Sequence, residues 1–269
     1  MIELDNLTES VKYVALDAGR FLRDKRKSFQ KNLVREKRSH DYVSYVDKGS
    51  EQLIVERLSE LLPEAGFIAE EGDGEFKGES YCWLVDPLDG TTNFIHDNAP
   101  YCVSIALRNT KEMLMGVVYE VVHDELFWAY KGNGAYLNGE QIHVSDVSDP
   151  DKAFFELGLP YDARTYKPMA IKVIDELYGN VGGLRILGAC AAELCYVACG
   201  RFEGRVEGVL GPWDVAAGSL ILSEAGGMVT DFEGTDSFYS GKELVGSNGK
   251  MHDFLLKSIK KCIDKRNNM

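Results

Sequence analysis

Several features are missing from this chain of 269 residues, and each absence narrows what it can be. No apolar run is long enough to cross a membrane, so no membrane association is expected. The opening MIELDNLTES has no charged segment followed by an apolar core, so no secretory leader is expected and the chain is read as cytoplasmic. None of the six cysteines forms a C-x-x-C pair, and none of the five histidines stands at ligand spacing to them. A zinc site is therefore disfavoured, and buried, reduced thiols are expected instead. Cys195 and Cys199, four residues apart, fall among small apolar residues on a predicted helix. There is no internal repeat and no low-complexity linker. Positive charge is also short. Lys and Arg number 30 against 43 acids, a net charge of −13, which argues against a broad nucleic-acid-binding face. Such acidity suits a protein that gathers carboxylates around cations, and it serves solubility equally well.

With 45% hydrophobic residues, the chain has enough apolar material for a large core in one domain or two fused lobes. A helical stripe runs through Leu7, Val11, Val14, Ala15, Ala18, Phe21 and Leu22. A basic segment at 23–38 reads as a helix end and loop, and DYVSYVDKGSE as a short extended piece entering a helix. That helix presents Ile54, Leu58 and Leu61 on one face and stops before Pro63. GFIAEEGDGEF reads as a short strand ending in acids. From 101 to 144 the period changes to two, predicting consecutive antiparallel strands, with Asn138-Gly139 as a hairpin signal. A polar segment at 145–151 marks a lobe boundary. Strand-like AFFEL, a helix carrying Ile171, Ile174 and Tyr178, and strand-like GLRILG follow. Two helices then end at Gly200 and at Gly226-Gly227, and a last helix at 251–263 carries Leu255, Ile259 and Cys262. The expectation is an α+β first lobe, 1–145, and an α/β second lobe, 146–269, in a single domain.

The chemistry concentrates in WLVDPLDGTTNF, residues 83–94. An apolar run predicts a buried strand, ended by Pro87, which has no N–H for a ladder. Asp86 and Asp89 then sit where a carboxylate is costly unless it is paired, hydrogen-bonded or bound to a metal. Gly90 permits a sharp turn, and Thr91 and Thr92 open a helix whose N–H groups attract anions. Glu70, at the end of FIAEE, and Asp214, in GPWDVAAG, also lie at strand ends or helix starts, where open α/β folds place ligands. Such oxygen donors suit Mg²⁺ beside a phosphate. Each acid has a plainer reading too: a helix N-cap for Asp214, a solvated loop residue for Glu70, a turn residue before proline for Asp86.

DPLDGTTNF together with WDVAAGSLILSEAGG, and AEE upstream, resembles the inositol monophosphatase family of Mg²⁺-dependent, lithium-sensitive phosphatases, over nearly the whole chain. The resemblance implies a layered αβαβα sandwich, the sugar-phosphatase fold shared with fructose-1,6-bisphosphatases, and a homodimer. It implies two to three Mg²⁺ ions with Li⁺ inhibitory. Glu70, Asp86 and the carbonyl of Leu88 match the first metal's ligands, and Asp86, Asp89 and Asp214 the second's. Gly90 and Thr91 match the phosphate-binding backbone. Asp47 and Thr91 match the pair that orients the attacking water, with Glu70 beside them as a catalytic acid. Asp89, Asp214, Glu207 and the run Gly188, Ala189 and Cys190 match substrate contacts.

The departures bear on substrate. Gly188-Ala189-Cys190 stands where the family often has Gly-Thr-Ala, so a hydroxyl is missing. A lysine expected near the site is replaced by Glu36, with Lys37 next to it. Arg205 is a candidate second anionic contact, although a surface charge is favoured for it. The leading function is hydrolysis of a small polyol or sugar phosphate monoester, first of all myo-inositol 1-phosphate, by an activated water. Fructose 1,6-bisphosphate, histidinol phosphate and 3′-phosphoadenosine phosphate are alternatives. Arg185 and Arg205 keep the bisphosphate open, and the short GVLGPWD counts against the nucleotide. A different class, a regulatory partner- or RNA-binding protein that keeps the fold, would use the basic residues at 25–38.

Overall fold

The computed structural model describes residues 2–30, 34–38, 41–72, 76–160, 163–240 and 242–264. In chain order the elements are α1 (Leu4–Lys27), β1 (Arg35–Arg38), β2 (Asp41–Val43), α2 (Tyr45–Leu61), β3 (Ala65–Ala69), β4 (Tyr81–Asp89) and α3 (Thr91–His96). A meander follows: β5 (Cys102–Asn109), β6 (Met113–Glu120), β7 (Glu125–Tyr130), β8 (Ala135–Leu137) and β9 (Glu140–Ile142). The rest comprises β10 (Phe154–Leu157), α4 (Ala163–Leu177), β11 (Gly183–Arg185), α5 (Cys190–Ala198), β12 (Gly204–Gly208), α6 (Pro212–Glu224), β13 (Met228–Thr230), β14 (Glu243–Ser247) and α7 (His252–Asp264).

The period-two run forms a seven-stranded sheet in the order β3-β4-β5-β6-β7-β8-β9, antiparallel except for β3 beside β4. The β8–β9 hairpin turns on Asn138 and Gly139, both at positive φ, as its sequence predicts. A five-stranded mixed sheet, β11-β10-β12-β14-β13, forms from the later strands. Helices α1 and α2 cover one face of the large sheet. Helices α5 and α6 fill the space between the sheets, and α4 and α7 cover the small sheet's far side. Each interface is a separate apolar core: Leu22, Ile54 and Trp83 in the first, Leu194, Ile221 and Phe127 in the middle, Phe155, Leu255 and Ile259 in the last. This is the expected αβαβα sandwich. Its middle helices are apolar on all sides because both faces are covered, as PWDVAAGSLILSE shows.

Some local expectations change. Pro87 does not end its strand. β4 continues to Asp89 through a bulge, with Asp86 opposite Ser104 and Asp89 opposite Cys102. Three residues of β4 thus span two of β5, and the extra residue puts both aspartates on one face. The stripe assigned to α4 is also rotated. Tyr166, Met169, Ala170, Val173 and Leu177 face the core, while Ile171 and Tyr178 are exposed. Tyr166, Met169, Val173 and Leu177 hold the helical spacing that faces the core, and Ile171 lies off it. On α2, Ile54 and Leu58 are buried but Leu61 is exposed, its place being taken by Leu62 just past the helix end. Part of the basic segment read as a loop is strand β1, paired with β2. The side chains of Glu36 and Lys37, with their lysine question, lie outside the described residues.

Candidate active site

The site forms where β3, β4, α5 and α6 meet. Parallel pairing aligns Ala69 with Val85, and the Glu70 N–H donates to the Val85 carbonyl, so Glu70 arrives beside Asp86. Asp86 shares a hydrogen bond with Glu70 and accepts the Leu88 N–H at 3.0 Å. Asp89 lies under the start of α5 and accepts N–H groups from Cys190 (3.1 Å) and Ala191 (2.7 Å). The Cys102 thiol donates to the same oxygen as the Ala191 N–H. Asp214 is the third residue of α6 rather than its N-cap, and it reaches back to the Gly211 N–H at 2.6 Å.

Burial raises the pKa of every one of these aspartates. Asp86 is pushed well above the usual carboxylate range by burial and by repulsion from Glu70, Asp89 and Asp214. Asp214 moves the same way through burial and the charges of Asp89 and Glu70. Burial raises Asp89 to about 6, while the Ala191 N–H pulls it down. The structure therefore brings Glu70, Asp86, Asp89 and Asp214 into one mutually repelling cluster, as expected from their places in the sequence.

The Gly90 turn is left-handed, at φ 87°, and an added Cβ there would stand 3.0 Å from the Pro100 carbonyl. Only glycine fits this conformation and this space. The turn delivers Thr91 as the first residue of α3. The Thr91 hydroxyl lies 2.9 Å from Asp47 and 3.0 Å from the Leu88 carbonyl, and donates to one of them at a time. Asp47 is buried near the start of α2, where its other oxygen accepts the N–H and the hydroxyl of Ser44. Burial raises its pKa, and the Ser44 and Thr91 donors oppose the rise.

Among the described residues, no three His, Cys, Asp or Glu side chains stand ready at metal-ligand spacing. The aspartate oxygens are turned toward backbone N–H groups. The donor set nonetheless fits a hard divalent cation: carboxylates and the Leu88 carbonyl, all oxygen, with charges that repel one another until neutralised.

The profile of the inositol monophosphatase family matches residues 3–264. The chain belongs to the inositol monophosphatase family. A relative from Aquifex aeolicus named fructose-1,6-bisphosphatase/inositol-1-monophosphatase is 36% identical over 264 residues, 98% of this chain and 99% of its own. The Nus factor SuhB of Escherichia coli K12 is 37% identical over 227 residues, 84% of this chain and 85% of its own. Among solved structures, the extragenic suppressor protein suhB from Bartonella henselae shares the fold at a TM-score of 0.89 and 34% identity, covering 97% of this chain and 99% of that one. This inositol monophosphatase family member therefore has the family fold throughout, and the family is one of phosphatases.

Arg205 corrects an expectation. It is fully buried, not a surface charge, and pairs with Glu193 and Glu207. Arg185 is exposed and lies over the Phe154 ring. Gly188, at φ 86°, together with Ala189 and Cys190 forms the turn into α5. Two residues escaped the sequence reading. Asn93 donates to the carbonyls of Pro100 and Leu187, tying α3 to the loop before α5. Glu193 is buried and accepts the N–H groups of Gly188 and Ala189. Its signal was available, as a lone acid inside the apolar run ACAAELCYVAC.

Proposed function

We propose that this protein hydrolyses small polyol or sugar phosphate monoesters in a Mg²⁺-dependent reaction, with myo-inositol 1-phosphate as the leading substrate. The observation that carries this reading is the 2.9 Å contact between Thr91 and Asp47 at the end of β4, next to the buried Asp86 and Asp89. Glu70, Asp86, the Leu88 carbonyl, Asp89 and Asp214 would hold two to three ions. When bound, Mg²⁺ supplies positive charge against the phosphate oxygens and lowers the pKa of a water.

The chain's own groups do the rest. The N–H groups of Gly90 and Thr91 bind phosphate oxygens. Asp47, fixed by its two bonds from Ser44, keeps one oxygen for Thr91. The Thr91 hydroxyl accepts a hydrogen bond from the attacking water while donating to Asp47, so a proton leaves the water along that line. Glu70 orients the same water from the β3 side. Glu207 and the 188–190 turn receive the substrate hydroxyls. Li⁺ inhibition, a homodimeric assembly and a cytoplasmic location belong to the same reading.

Phosphate release from inositol 1-phosphate, fructose 1,6-bisphosphate, histidinol phosphate and 3′-phosphoadenosine phosphate tests it, with Mg²⁺, with EDTA, and with Mg²⁺ plus Li⁺. Mg²⁺-dependent release led by inositol 1-phosphate and suppressed by Li⁺ is expected; no release from any ester sinks the proposal. The name of the Aquifex aeolicus relative favours fructose 1,6-bisphosphate as a second substrate. Against it, Arg205 is committed to two glutamates. The Nus factor name favours a partner-binding role, for which a biological effect that survives Asp89→Asn is the test.

A further inference from the structure

Between β12 and the start of α5 lies a buried ion cluster that the hydrolytic step does not use. Glu156, Glu193 and Arg205 are fully buried, and Glu207 is nearly so. One guanidinium nitrogen of Arg205 meets Glu193 at 2.6 Å and also Glu207, and the other donates to the Cys190 carbonyl at 3.1 Å. Glu193 in turn accepts the N–H of Gly188 at 2.6 Å and of Ala189 at 3.3 Å. Glu156 lies beside the pair, and neither of its oxygens finds a hydrogen-bond partner among the described residues.

Burying such charges costs several kcal/mol per ion before pairing, and apolar residues of similar volume often serve a core as well or better. The cluster's position gives it another use. Its fixed ends are Glu207 on one side and the 188–190 turn on the other, the two groups assigned to the substrate's hydroxyls. Gly158 completes the arrangement: a Cβ there would fall 2.0 Å from the Glu207 carboxyl carbon, so glycine clears the space the carboxylate occupies.

We propose that Arg205 is a positioning residue that locks Glu207 and the Gly188–Cys190 turn into one wall selecting hydroxyl-bearing, uncharged leaving groups. The inference rests on the phosphomonoesterase reading above. A planar guanidinium fork holds two acceptors at fixed angles, which an ammonium on a flexible stem does not. Because Glu193 and Glu207 offset the Arg205 charge, the wall presents acceptors to hydroxyls and repels a second phosphate.

The test compares inositol 1-phosphate with p-nitrophenyl phosphate, whose leaving group carries no alkyl hydroxyl. In Arg205→Lys, the ratio of kcat/KM for the polyol ester over the aryl ester should fall by about tenfold or more, the size of one lost charged hydrogen bond. Most of that fall should appear as a raised polyol KM. In a Glu207→Gln background, Arg205→Lys should lower the ratio by clearly less than it does alone, since the arginine acts in part through that carboxylate. Gly158→Ala displaces Glu207 from the opposite side and should produce the same selective defect, which keeps the test open if Arg205→Lys does not fold. Equal losses on both esters in the folded variants, or additive losses in the double variant, would overturn the proposal. Wild-type protein that cleaves neither ester would instead overturn the phosphatase reading beneath it.

Discussion

The carboxylate cluster should make the metal-free protein less stable as pH rises, the reverse of ordinary acid denaturation. Burial lifts Asp89 from 3.8 to about 6 and Glu207 from 4.5 to about 7. A raised folded-state pKa means that the folded protein favours the protonated acid. The stabilising contribution is full below about pH 4, where both states are protonated, and is lost as pH climbs from there through about 6 to 7. At about 1.4 kcal/mol per pH unit, each group loses on the order of 3 kcal/mol between its unfolded and folded pKa values, of which about 1 kcal/mol for Asp89 and about 2–3 kcal/mol for Glu207 falls above about pH 5. For a chain of this size that amounts to a fall in melting temperature on the order of 10 °C between about pH 5 and pH 8. A cation that binds the deprotonated aspartates offsets the Asp89 part of the loss, so the gain in melting temperature on adding Mg²⁺ should be larger at about pH 8 than at about pH 5. Thermal melts in EDTA and in Mg²⁺ across that range read both effects. Asp89→Asn should flatten the EDTA curve and raise metal-free stability at alkaline pH, while abolishing turnover. A metal-free melting temperature that stays level or rises over the range, or an Asp89→Asn curve as steep as wild type, would refute the burial argument.

Three other outcomes follow from single contacts. Thr91→Ala should lower kcat by about a hundredfold or more with a small change in KM, since the hydroxyl orients the water rather than the ester; steady-state kinetics that show only a raised KM would contradict this. Gly90→Ala places a Cβ at φ 87° and 3.0 Å from the Pro100 carbonyl, and should cost on the order of 2 kcal/mol in chemical denaturation together with activity. Phe155→Ala empties a fully buried position beside α7 and should cost about 3–5 kcal/mol, read from the denaturation midpoint.

Much of the architecture was legible because two periodicities dominate the chain. Period two over 101–144 became five consecutive antiparallel strands, and apolar helices without a polar face became the middle layer. The errors have definite causes. Pro87 reads as a strand end because a missing N–H normally is one, but a bulge accommodates it without ending the ladder. Ile171 and Tyr178 misdirect the α4 stripe because size is not burial. Arg205 was misplaced because the acids near it in sequence, Glu203 and Glu207, do not reveal its other partner, Glu193, twelve residues away on the neighbouring helix.

The acids of the site could be read from sequence for a related reason. Asp86 sits at the β4 bulge, Asp89 at the end of β4 and Asp214 in the first turn of α6, and they accept backbone N–H groups from Leu88, Cys190, Ala191 and Gly211. Backbone donors at element ends depend on chain geometry more than on side-chain identity, so a carboxylate placed there keeps partial solvation in whatever core surrounds it. The fold thus tolerates a concentration of negative charge that side-chain cations would neutralise. Among the described residues Arg205 is the guanidinium buried near the cluster, and it is turned to Glu193 and Glu207, away from Asp86 and Asp214. The aspartates are left to attract charge from outside the chain. In the metal-assisted hydrolysis proposed above, an internal cation in their midst would compete with the ion that would activate the water.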